Sequence, residues 1–134
     1  MRELLLVEDR AEDVELALMA LRMVEDAPRV HVARDGDAAI ALLADEAIRE
    51  RLAVVLLDLN LPGIDGFGVL AHMRTTPCLR ALPVVVLSTS GSSVDVERAY
   101  ELGANAYVAK PMRFDAFVET MAGLARFWLQ TNRV

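Results

Sequence analysis

Five residues of this chain are of the types that handle phosphate and divalent cations: Glu8, Asp9, Asp58, Ser88 and Lys110. Each follows a short apolar run: LLLV before Glu8-Asp9, VVLL before Asp58, VVVL before Ser88 and AYVA before Lys110. If those runs are neighbouring strands, the three carboxylates come within several ångströms of one another. Acids so placed repel, and leaving them unpaired raises at least one pKa at a cost in stability. A hard cation offsets the repulsion, because Mg²⁺ prefers oxygen ligands and keeps several of its waters. Once bound it bridges the protein to phosphoryl oxygens and neutralises charge that develops during transfer. Lys110 would offer a phosphate oxygen a compact positive charge, and Ser88 a hydroxyl donor. An aspartate that accepts a phosphoryl group forms a mixed anhydride, a recognised covalent intermediate. Taken singly the acids permit a plainer reading, since Asp9 precedes a helix and suits an N-cap.

The elements that must bring these residues together alternate along the chain. Strand-like runs begin near Leu4, Val30, Ala53, Val84 and Ala106, and helix-like stretches near Glu12, Asp37, Gly66, Ser93 and Phe114. Turn signals lie between them at Asp35-Gly36, Leu61-Pro62-Gly63 and Ser90-Gly91. Five βα units predict an α/β domain, a parallel sheet with helices on both faces and right-handed crossovers. Ligands of such sheets sit beyond the carboxyl ends of the strands, where the strand order reverses. The second run, ending in Ala33-Arg34-Asp35, is expected at the sheet edge and away from the chemistry.

Bulk properties narrow the possibilities. At 134 residues the chain is read as a single domain, 1–134, with no output domain. Hydrophobic residues make up 54% of it, yet they fall in runs far shorter than the ~18–20 residues of a membrane span. The start, MRELLLVED, meets acid after four apolar residues, unlike a signal peptide or anchor. A net charge of −6 argues against a nucleic-acid surface. Cys78 is the single cysteine, so an internal disulfide is excluded and a cytoplasmic location is expected. His31 and His72 have no companion ligands in sequence and are read as structural rather than zinc-binding. The stretch Ser88 to Ser93 lacks the Gly-Lys-Ser/Thr ending of a phosphate loop, and Ser92 with Asp95 suggests a capping box.

The motifs LLLVED, VVLLDLNLPGIDG, PVVVLST and GANAYVAKP, in that order at βα spacing, resemble the receiver domain of response regulators in two-component signalling. The resemblance covers nearly the whole chain and implies a flavodoxin-like receiver fold with strand order 2-1-3-4-5. It further implies that Asp58 accepts a phosphoryl group from a histidine kinase in a Mg²⁺-dependent reaction, with output by protein contact. Asp9, Asp58 and the Asn60 carbonyl would bind Mg²⁺ directly, and Glu8 through water. Ser88, Lys110 and the backbone of Asn60 and Thr89 would contact the phosphoryl group. Tyr107 would be the aromatic that changes rotamer when Ser88 moves. EDRAEDVEL and the late ARFWL look most like single-domain regulators that serve phytochrome-type kinases.

Some positions depart from the family's commonest pattern. Ser88 stands where threonine is usual and Thr89 where alanine is frequent. The likeness implies a cis Lys110–Pro111 bond, whereas the general preference of proline peptides is trans. The domain would catalyse only its own phosphorylation and dephosphorylation. The alternative is an aspartate-nucleophile Mg²⁺-dependent phosphohydrolase, but such enzymes usually carry an acid two residues after the nucleophile. Here that position is Asn60, which cannot exchange a proton.

Two helices carry more apolar surface than a sheet-covering face needs. In the first, Val14, Ala17, Leu18 and Leu21 are expected against the sheet, and Leu16, Met19 and Met23 on the opposite side. In the last, Phe117, Val118, Met121, Leu124, Ala125 and Trp128 share the sheet-covering face. Phe127 points away from it and joins Trp128 and Leu129 in an apolar cluster near the chain end. That cluster suggests a homodimer built partly from the last helix, the alternative being that Phe127 folds back on its own domain.

Overall fold

The protein is described here as a computed structural model covering residues 2–132. In chain order it runs β1 (Glu3–Val7), α1 (Ala11–Arg22), β2 (Val30–Ala33), α2 (Gly36–Ala44), α3 (Glu46–Arg49), β3 (Leu52–Asp58), α4 (Gly66–Thr75), β4 (Val84–Ser88), α5 (Ser93–Glu101), β5 (Ala106–Ala109) and α6 (Phe114–Arg126). A short 3₁₀ turn, Pro77–Leu79, precedes β4, and α6 widens into a π-type turn over Phe127–Thr131. The sheet is parallel throughout, in the order β2-β1-β3-β4-β5 expected from the sequence.

The central strands are apolar apart from Glu3 at the start of β1 and Asp58 and Ser88 at the ends of β3 and β4, because the sheet is covered on both faces. Every residue of β1, β3 and β4 is buried, so a side chain meets a core whichever way it points. Alternation divides them between two cores. Leu5, Val7, Val55, Leu57 and Val86 pack with Leu43 of α2 and with Leu70 and Met73 of α4. Leu4, Leu6, Val54, Leu56 and Val85 pack with Leu21 of α1 and with Phe117 and Met121 of α6. The sheet is thereby held in a register that aligns the carboxyl ends of β1, β3 and β4.

The elements expected from sequence begin within one residue of their observed starts. The one-turn α3 and the 3₁₀ turn are too short to display a periodicity in the sequence. The apolar face of α1 is rotated from expectation: Val14, Ala17 and Leu21 are buried, but Ala20 is buried and Leu18 only half so. The cause is that α1 lies along α6 as well as on the sheet, which moves its buried arc. Leu16 is half-buried for the same reason, while Met19 and Met23 are exposed as expected.

Arg74 of α4 ties down the loops entering β4 and β5. It donates to the carbonyls of Leu82 (3.0 Å) and Gly103 (2.9 Å) and to Asn105 Oδ1 (3.0 Å). His31 also has a structural partner, since its Nε2 lies 2.6 Å from buried Glu3 Oε1, and Arg51 reaches the other Glu3 oxygen at 3.1 Å.

Candidate functional site

Three strands deliver the acids and the hydroxyl to one edge of the sheet. Beyond β1, the Glu8 amide still donates to Ala33 at 3.0 Å, so its side chain is fixed by continued pairing with the β2 edge. Asp58 is the last residue of β3, and its Oδ1 accepts from the Asn60 amide at 3.2 Å. The chain folds back tightly after Asp58, and only glycine fits at position 66. A β-carbon there would lie 2.4 Å from the Asp58 carbonyl oxygen. Past β5, the Lys110 amide donates to the Ser88 carbonyl at 2.8 Å, which carries the lysine to the same edge.

The side chains converge around the Lys110 ammonium. It hydrogen-bonds Glu8 Oε1 and lies 3.3 Å from Asp13 Oδ2 and 3.4 Å from Asp58 Oδ2. A cavity of about 190 Å³ opens beside it, lined by Asp9, Arg10, Asp13, Asp58, Asn60, Thr89 and Lys110. Asp13 carries no distinguishing signal in the sequence, because an acid in the first turn of a helix is an ordinary complement to the helix dipole.

Oxygen atoms of Glu8, Asp9 and Asp58 all lie within 4.8 Å of one another, a donor set that suits a hard divalent cation. Asp9 is free for that role, since the N-cap position of α1 is Arg10 and carries no side-chain cap bond. One amine is shared by three acids, and burial decides the state of Glu8. Burial pushes its carboxyl up to about 7, against the hydrogen bonds from Lys110 and the Arg10 amide. For Lys110 burial pulls the other way, but the Glu8 hydrogen bond and the charges of Asp58, Glu8 and Asp13 hold it above its ordinary value.

The Glu8 shift has a measurable consequence. A proton favoured by the fold stabilises the metal-free chain at low pH, and that contribution fades as pH rises from about 4.5 towards 7. Metal binding requires the carboxylate and expels the proton. Mg²⁺ affinity should therefore fall as pH drops below 7, approaching about tenfold per unit. Calorimetry in buffers of different ionisation enthalpy should find proton release at pH 6 and almost none at pH 8. Equal release at both would be inconsistent with the assignment.

Ser88 is fully buried at the end of β4, and its Oγ accepts from the Ser90 amide at 3.0 Å. The Tyr107 hydroxyl donates to the Ser90 carbonyl at 2.9 Å, linking the aromatic to the loop that follows Ser88. The capping box expected from Ser92 and Asp95 is not formed. Ser90 Oγ instead donates to Asp95 at 2.8 Å and accepts from the Ser92 amide at 3.2 Å, and the Ser92 side chain makes no cap bond. The structure also decides between the two forms open to Lys110–Pro111. No cis peptide bond occurs among the described residues, in keeping with the trans preference of roughly 0.5–1 kcal/mol. Lys110 reaches the acids from the trans form.

Comparison with known proteins gives one consistent result. A family model described as "Response regulator receiver domain" matches residues 4–122. The probable methanogenesis regulatory protein FilR2 of Methanothrix harundinacea is 39% identical, over 97% of this chain and 85% of that protein. Response regulator Rcp1 of Synechocystis is also 39% identical, over 96% of this chain and 89% of its own. The Mn²⁺-bound structure of Rcp1 superimposes with a TM-score of 0.90 at 36% identity, covering 100% of this chain and 99% of that one. The phosphorylated cyanobacterial phytochrome response regulator RcpA gives 0.91 at 38% identity, covering 98% and 96%.

Proposed function

The chain belongs to the response regulator receiver family, and we propose that it takes a phosphoryl group from a histidine kinase onto Asp58. The observation that carries this reading is Asp58 itself, a buried carboxylate ending β3 with its oxygens between an amine and two further acids. In the transfer an Asp58 oxygen attacks the phosphorus of phosphohistidine. The P–N bond breaks, the electron pair leaves with the imidazole, which takes up a proton, and a mixed anhydride remains on Asp58. Mg²⁺, held by Asp9, Asp58 and the Asn60 carbonyl with Glu8 acting through water, would neutralise charge on the phosphoryl oxygens. Lys110, the Ser88 hydroxyl and the backbone amides of Asn60 and Thr89 supply the remaining contacts. Tyr107 then reports the position of Ser88 to the surface through its bond to Ser90.

A hydrolase is disfavoured by Asn60, which offers no general acid where such enzymes have one. The test is incubation with acetyl phosphate and Mg²⁺. A receiver acquires one labile phosphoryl group per chain and stops, whereas a phosphohydrolase turns the donor over without limit.

The likeness to RcpA supports a phytochrome-type kinase as the donor, the coverage of Rcp1 supports a single receiver domain, and the single cysteine fits the cytoplasm. Among the described residues no helix is long and apolar enough to cross a membrane, and the net charge of −6 disfavours nucleic acid. The downstream partner is then a protein.

A homodimer through α6 belongs to the same proposal. Phe117, Met121 and Ala125 are buried and Trp128 packs beside them, while Phe127 is 46% exposed and meets Trp128 edge-on with ring centroids 5.0 Å apart. Phe127 thus keeps an apolar surface that a two-fold partner would cover. Burying one aromatic is worth roughly 1.5–3 kcal/mol, so two copies with their neighbours support micromolar association. Light scattering at tens of micromolar should give the mass of two chains for the parent and of one for Phe127→Ala. A parent that stays monomeric, phosphorylated or not, would refute the dimer.

A further inference from the structure

We propose that Asp13 is a positioning residue for phosphoryl transfer: its carboxylate keeps the Lys110 ammonium at the wall of the cavity beside Asp58 once the Asp58 carboxylate becomes an anhydride and no longer holds it. The inference rests on Asp58 being the acceptor. An ammonium has three N–H donors and no acceptor of its own. Lys110 gives one each to Glu8, Asp13 (3.3 Å) and Asp58 (3.4 Å). Those two pulls have different consequences. An N–H given to Asp58 withdraws electron density from the nucleophile and must be surrendered when the carboxylate becomes an anhydride. An N–H given to Asp13 leaves the nucleophile untouched and keeps the amine at the cavity wall, where phosphoryl oxygens arrive.

Asp13 is built for that role in three respects. It is not among the acids whose oxygens gather within 4.8 Å, so a metal held by Glu8, Asp9 and Asp58 does not compete for it. Its side chain is 23% exposed against 7% for Lys110, which puts it at the mouth of the cavity rather than the floor. It also belongs to the first turn of α1, a rigid element packed on the sheet, whereas Lys110 carries its charge on a flexible four-carbon stem. A fixed second anchor is what such a stem needs for its amine to be placed within a fraction of an ångström.

The experiment uses the whole chain at saturating Mg²⁺ with acetyl phosphate as donor, comparing the parent with Asp13→Asn, Asp13→Glu and Asp58→Asn. In Asp13→Asn the maximal rate of phosphorylation should fall roughly tenfold, with little change in the half-saturating donor concentration. Asp13→Glu returns the charge on a longer arm and should recover part of the rate. A role limited to stability would move the thermal midpoint and leave the maximal rate of the folded fraction as it was. An unchanged maximal rate, a change confined to half-saturation, or no recovery in Asp13→Glu would each overturn the proposal. Asp58→Asn tests the acceptor independently of Asp13. If that variant is labelled, or the parent is not, the acceptor assignment is wrong and the role of Asp13 falls with it.

Discussion

Asp58→Asn should lower phosphoryl incorporation from about one group per chain to none, while the fold is retained. The amide keeps the size of the carboxylate and can still accept from the Asn60 amide, whose bond to Oδ1 is 3.2 Å. It has no anionic oxygen with which to attack phosphorus. Removing one negative charge from a crowded acidic pocket relieves repulsion, so thermal stability should equal or exceed that of the parent. Lys110 keeps Glu8 and Asp13 as partners, and no buried charge is abandoned. Intact-mass measurement after incubation with acetyl phosphate and Mg²⁺ reads the outcome directly. Full labelling of Asp58→Asn would move the acceptor to another acid of the cluster.

Lys110→Ala should have the opposite effect on stability. The amine is the cation shared by Glu8, Asp13 and Asp58, and its side chain is only 7% exposed. Losing it leaves buried acids without a counter-charge, which costs about 3 kcal/mol in the metal-free chain. Protonation of Glu8 absorbs part of that cost, so the loss should grow as pH rises above 7. Mg²⁺ should bind more tightly than in the parent, by roughly tenfold, because a neighbouring positive charge is gone. The variant should also lose the link between phosphate and the Ser88–Tyr107 region. Amide signals around those residues would then respond to phosphorylation much less than in the parent. Equal responses in the two proteins would show that Lys110 takes no part in the coupling.

Much of this protein was legible from sequence because two physical regularities are local. A strand covered on both faces is apolar along most of its length, so LLLV, VVLL and VVVL announced β1, β3 and β4 and marked where each ends. The topology of parallel sheets then brought those ends together, and with them Glu8, Asp9, Asp58, Ser88 and Lys110. Helical spacing likewise identified the buried side of α6.

What the tertiary structure alone decided depends on how whole elements lie against one another. The arc of α1 that is buried is set by α6 as well as by the sheet, so Ala20 displaced Leu18 from the place expected for it. Asp13 joined Lys110 because the fold brings the first turn of α1 beside the residue that follows β5, 97 positions away along the chain. Ser90 rather than Ser92 became the partner of Asp95 because side-chain reach in a loop follows its path, and a pattern of residue types does not record that path. The acids could be named from the sequence, but their separations, and the burial that pushes Glu8 up to about 7, arise only when four strand ends meet in one place.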